Sequence, residues 1–197
     1  LAMPTLTFFP DSERQAENVL FVAGPDGNIV LEHVKYGGNI LEGSLKGSGE
    51  IQAIETEYGR LAGIICWDSN YPNIVRQVGQ QNTDILLSPS KEWDGINPMH
   101  AEMAVFRALE NGTAVIRQTD EGLSIVVDGY GRTLASGEGL ANSGNYVLAE
   151  VPTSSPTTLY PVIGDVVGFI SVVGLLVVVV YALISGRRQK SEAPQTA

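Results

Sequence analysis

No residue between Val166 and Gly186 carries a formal charge, and the run Val177-Val178-Val179-Val180 lies inside that stretch. About 20 apolar residues in a helix cross a hydrocarbon core of about 30 Å. Valine forms helices poorly in water, but in lipid the backbone must satisfy its own hydrogen bonds and the helix is enforced. Tyr160 and Tyr181 stand near the two ends, where aromatic rings suit the interface. Arg187, Arg188 and Lys190 follow at once, and the positive-inside rule places such a tail in the cytoplasm. The expected organisation is a domain over residues 1–151, a Ser/Thr/Pro-rich linker over 152–160, a membrane helix over 161–186 and a cytoplasmic tail over 187–197. The domain would then lie outside the cytoplasm.

The net charge of −10 argues against nucleic acid as a partner, because no basic surface is available to release phosphate counterions. Cys66 is the one cysteine, so an intrachain disulfide is excluded. His33 and His100 have no cysteine or carboxylate cluster at metal-ligand spacing, and no metal or other cofactor is implied.

Val19–Ala23 reads as a strand, Gly24-Pro25-Asp26-Gly27 as a turn, and Asn28–Leu31 as the returning strand. Leu123–Val127, Asp128–Gly131 and Arg132–Ala135 repeat that pattern. Leu61–Cys66 is a continuous apolar run suited to a strand covered on both faces. A helix is expected from about Asn73 to Gln80, and Asp84–Ser88 is another buried-strand candidate. Residues 98–111 read as a helix, with Met99, Met103, Phe106 and Leu109 as its apolar stripe, Pro98 at its start and Gly112 past its end. Ala114–Arg117 reads as a strand. Alternating strands and helices followed by hairpins predict an α/β layered domain.

Cys66 ends its apolar run just before Trp67-Asp68-Ser69-Asn70-Tyr71-Pro72. A nucleophile on a tight strand-to-helix turn is exposed, and backbone N–H groups beyond it can favour a thiolate and an oxyanion. An isolated cysteine is otherwise most often a small buried hydrophobe.

The segment Gly59–Asp68, with Tyr71-Pro72 after it, resembles the nucleophile segment of the nitrilase superfamily of carbon–nitrogen hydrolases. Asp84–Pro89, the helix with Arg107-Ala108-Leu109-Glu110-Asn111-Gly112, Gly122-Leu123-Ser124 and Asp128–Arg132 resemble later family segments in the same order. The resemblance covers roughly residues 18–150. It implies an α-β-β-α sandwich and a Glu-Lys-Cys triad, in which the cysteine attacks a carbonyl, the glutamate is the base and the lysine stabilises the oxyanion.

Carried over by position, Cys66 is the nucleophile. Lys35 alone reads as a solvated strand-end lysine; in register with Cys66 it matches the catalytic lysine better than Lys46. Glu42, seven residues after Lys35, matches a supporting glutamate, one residue short of the acyltransferase spacing. Asp68 stands where acyltransferases carry a glutamate, and either binds backbone near the site or caps the next helix. Trp67 is an expected supporting neighbour, and Trp93 is either the active-site-wall tryptophan the family often has there or a plain core or surface tryptophan. The general-base glutamate belongs to an earlier strand–helix unit, so the chain is expected to lack the N-terminal portion of its domain and to be inactive alone.

Within the superfamily the resemblance points to the apolipoprotein N-acyltransferase branch, although Tyr36–Leu41 departs from that branch's wording. It implies membrane lipid and a lipoprotein as partners. Superfamily members often pair, so a homodimer is among the expected assemblies. A membrane-tethered amidase and a non-catalytic anchored module are the other readings.

Overall fold

The computed structural model describes residues 1–7, 16–92, 95–138, 146–154 and 156–192. Contacts divide the chain into two units, 1–162 and 163–197.

In the first unit, β1 (Ala2–Thr7), β2 (Glu17–Ala23) and β3 (Ile29–Val34) form an antiparallel three-stranded sheet in that order. The Gly24–Gly27 turn joins β2 to β3, as its composition predicts. No turn or apolar run announces β1; Pro4 within it suits an edge strand, where a missing N–H is tolerated.

A six-stranded sheet runs β4 (Ala53–Thr56), β5 (Gly59–Gly63), β6 (Ile85–Leu87), β7 (Ala114–Arg117), β8 (Leu123–Val127) and β9 (Thr133–Glu138). The pairs β5–β6 and β6–β7 are parallel and the others antiparallel. Parallel neighbours need crossovers, supplied here by α2 (Pro72–Gln80) and α3 (Met99–Asn111). These helices cover one face. Val75, Val78, Ala101, Ala104 and Ala108 pack with Ala62, Ile64, Leu86, Val115, Ile125 and Val127. The three-stranded sheet meets β4 and β5 through β3. Leu20 of β2 comes so close to β5 that a Cβ on Gly63 would stand 2.5 Å from its Cδ2.

Two expectations change. The apolar run Leu61–Cys66 is strand only as far as Gly63; Cys66 opens a 3-10 helix, Cys66–Asn70. In α3 the apolar stripe faces outward, with Met99 58%, Phe106 59% and Leu109 43% exposed. The buried face carries His100, Arg107 and Asn111 with Ala101, Ala104 and Ala108, and the small alanine side chains let the helix lie close to the sheet.

The chain leaves this unit through α4 (Tyr160–Ile163). Arg76 of α2 donates from Nε to the Pro161 carbonyl at 2.7 Å and from Nη2 to that of Val162 at 2.5 Å. Gln80 Nε2 donates to Pro161 at 3.0 Å.

In the second unit α5 spans Val166–Glu192. Its segment Val166–Ser185, mean hydropathy 2.9, is the one helix among the described residues long and apolar enough to cross a membrane. It starts at Val166 and not at 161, because Gly164 and Asp165, poor helix formers, separate it from α4. The helix also continues through the basic cluster expected as a tail.

Candidate active site

Two side chains that the sequence singles out, Lys35 and Cys66, and one that it does not, Arg117, follow or end strands of the two sheets. Lys35 follows β3, Cys66 lies three residues beyond β5, and Arg117 is the last residue of β7. In open α/β sheets, ligands bind outside the carboxyl ends of the strands. A cavity of about 310 Å³ lies here, lined by Lys35, Gly38, Glu42, Cys66, Trp67, Lys91, Glu92 and Glu121.

Cys66 adopts φ 48°, a left-handed conformation that few non-glycine residues occupy. Three backbone bonds hold the turn. The Cys66 N–H donates to the Pro89 carbonyl at 2.9 Å, Asp68 N–H donates to Ile65 at 2.9 Å, and Tyr71 N–H donates to Asp68 at 3.0 Å. The Sγ faces the Lys91 carbonyl at 3.6 Å. The backbone strain is maintained by its surroundings, as is common at reacting groups.

Asp68 is fully buried and ties this turn to the loop after β3. Its Oδ1 accepts from the N–H groups of Tyr36 at 2.9 Å and Gly37 at 2.7 Å. Its Oδ2 accepts from Ile65 N–H at 3.0 Å and meets His33 Nε2 at 2.8 Å. Of its two expected roles, the structure shows bonding to backbone near the site. Lys35 is thereby fixed against the cysteine turn.

Lys35 is only 1% exposed, which removes the solvated-lysine reading. Its Nζ bonds Glu42 of the short helix α1 (Asn39–Glu42). Glu42 also accepts from Asn18 Nδ2 at 3.1 Å. Lys46 instead sits over the Tyr36 ring, 4.2 Å from its centroid. Gly38, at φ 76°, lets the backbone pass Trp67: a Cβ there would stand 3.2 Å from Trp67 Cβ and 3.7 Å from Lys35 Nζ. Trp67 lines the cavity and stands edge-on to His100, with ring centroids 5.3 Å apart. Trp93 lies outside the described residues.

Sequence reasoning missed a second buried network. Glu92, 4% exposed, meets Arg117 Nη2 and, at 3.2 Å, His100 Nδ1. His100 Nε2 in turn lies 3.2 Å from Asn70 Nδ2. Burial pushes the Arg117 guanidinium below its usual range, opposed by the charges of Glu92 and Cys66. An arginine closing the apolar strand Ala114-Val115-Ile116 was the available signal, since charged residues are rarely fully buried without a partner. Nothing local marks Glu92.

A buried thiol, a buried ammonium and a supporting carboxylate in one cavity suit acyl transfer. In such chemistry a thiol serves as nucleophile and an ammonium stabilises developing oxyanion charge.

The chain is 31% identical over 128 residues to the apolipoprotein N-acyltransferase of Borreliella burgdorferi, covering 62% of this chain and 24% of that protein. It is 31% identical over 137 residues to that of Caulobacter vibrioides, covering 67% and 25%. It thus spans about a quarter of the length of these curated relatives. Among solved structures, Nit3 of Saccharomyces cerevisiae, a nitrilase-superfamily member, superposes with TM-score 0.61 at 22% identity, over 68% of this chain and 54% of Nit3. An amidase from Nesterenkonia sp. AN1, bearing the acetamide moiety of fluoroacetamide at its active-site cysteine, gives TM-score 0.60 at 19% identity, over 70% and 56%. The carbon-nitrogen hydrolase family profile matches residues 7–155, so the chain belongs to that family, within the nitrilase superfamily.

Proposed function

We propose that this chain carries the nucleophile of a membrane-anchored, cysteine-dependent acyl transfer of the apolipoprotein N-acyltransferase kind. The observation that carries this reading is the meeting of Cys66, Lys35 and Glu42 in one cavity. In the first half-reaction, Cys66 Sγ attacks the ester carbonyl of a phospholipid. A C–S bond forms, the C–O bond breaks, and the lysophospholipid leaves as an alcohol with the proton from the thiol. In the second, an amine attacks the thioester, a C–N bond forms, the C–S bond breaks, and a proton from the amine returns to the sulfur as the thiol. Lys35 stabilises the oxyanion of each tetrahedral intermediate, and Glu42 holds Lys35 in place. The names of the curated relatives and the apolar helix over Val166–Ser185 support a lipid donor. The basic cluster Arg187, Arg188 and Lys190 supports a cytoplasmic C-terminus.

The amidase-like structural neighbour supports a second reading, hydrolysis of small amides through the same thioester. Intact-protein mass spectrometry of the full-length protein from its native membrane separates the two. A hydroxylamine-labile long-chain acyl adduct that Cys66→Ala abolishes is the expected result. Absence of that adduct, with acetamide hydrolysed to acetate and ammonia in a reaction that Cys66→Ala abolishes, would replace the lipid reading by the amidase one.

A further inference from the structure

Arg117 is the largest fully buried side chain among the described residues, yet no step above uses it. Its Nη2 meets Glu92 Oε1, while Nε and Nη1 have no hydrogen-bond partner among the described residues. Taking a guanidinium and a carboxylate out of water carries a large desolvation penalty, and well-packed apolar replacements are often no less stable. Stability alone is therefore a poor account of the pair.

Its location gives a better one. Glu92 lines the cavity that holds Cys66. Its bonds to Arg117 and to His100 both fall on Oε1. The carbonyl of the adjacent residue, Lys91, faces the thiol at 3.6 Å. The charged groups around the thiol come from several elements: Lys35 after β3, Glu42 of α1, Lys91 and Glu92 after β6, and Glu121 between β7 and β8. Asp68 lies within the same turn, and His100 stands behind Trp67. A bare carboxylate at Glu92 would oppose a thiolate at Cys66, and a paired one would not.

We propose that Arg117 is a positioning residue that, paired with Glu92 at the cavity wall, sets the charge state of the Cys66 thiol. The guanidinium neutralises the neighbouring carboxylate, and the thiolate then forms beside it. This rests on Cys66 being the nucleophile.

The test is the pH dependence of Cys66 alkylation by iodoacetamide, read by mass spectrometry on the full chain in detergent. Arg117→Gln should move the midpoint up by about one pH unit, a roughly tenfold loss of thiolate at pH 7. Glu92→Gln should move it down. The double variant should return it towards the wild-type value, and Arg117→Lys, which keeps the charge, should stay near it. A purely structural role would lower the melting temperature in each neutral variant without moving the midpoints in opposite directions. Unmoved midpoints, or a common direction in both, overturn the proposal. If Arg117→Gln does not fold, Glu92→Gln and Arg117→Lys still decide: a midpoint unmoved in the first or far displaced in the second overturns it. Loss of the acyl adduct reading at Cys66, with these midpoints still moving, would count against the nucleophile assignment alone.

Discussion

Cys66 at φ 48° and Asp68 beneath it divide the work of the turn between reactivity and geometry. Lys35→Met keeps the bulk of the side chain and removes the charge. Its acyl-adduct formation should fall by about 100-fold or more, measured as the rate of adduct appearance in single-turnover mass spectrometry. Asp68→Ala leaves the N–H groups of Ile65, Tyr36 and Gly37 and the His33 ring without their acceptor. The cost should be about 3–5 kcal/mol, visible as a fall in urea midpoint. Asp128 gives a pH test at the far hairpin. Burial pushes its carboxyl up, but the Arg132 side chain and the N–H groups of Arg132 and Tyr130 outweigh this and hold it below its ordinary value. A depressed carboxyl contributes stability that is present above the unfolded value and lost as pH falls through the folded one. Asp128→Asn should therefore melt below wild type at neutral pH, and the gap should close below about pH 4.

At the scale of elements, α3 shows how packing overrides pattern. Its alanine face touches the sheet while its larger apolar residues stand outside. Ala104→Leu should overpack the core and cost about 1–3 kcal/mol. Phe106→Ser, on the exposed stripe, should change stability by no more than about 0.5 kcal/mol. Thermal melts of the two variants check the face assignment, and the reverse order would return α3 to the orientation its stripe suggests. The same contrast explains what could be read in advance. The β2–β3 and β8–β9 hairpins, α2 and the ends of α3 follow from turn residues and local periodicity, which the chain carries in a few adjacent positions. Lys35 and Cys66 emerged through resemblance in register. The Glu92–Arg117 pair joins residues 25 apart; their burial is created by sheet packing, and no local pattern encodes it. Strands β1 and β4 were missed because short edge strands lack a long apolar run.

At the scale of the whole molecule, α5 has the length and hydropathy of a spanning segment. Val178→Arg places a charge near its centre and should raise the cost of insertion by about 2.5–3.5 kcal/mol. The variant should shift towards the carbonate-extractable fraction, and unchanged retention would count against α5 as the anchor. The bonds around Asp68 have a consequence in time. They join residues 33, 36 and 37 to residues 65 and 68, across separations of 31 to 35 positions, apart from the local bond to Ile65. Contacts of such range require loop closure before they return any energy, so they belong to the late part of folding. A chain emerging at the bilayer surface should then present an ordinary, weakly reactive cysteine. If Cys66 is the nucleophile, as proposed, its chemistry would switch on only when the two sheets dock, and not while the chain is still incomplete.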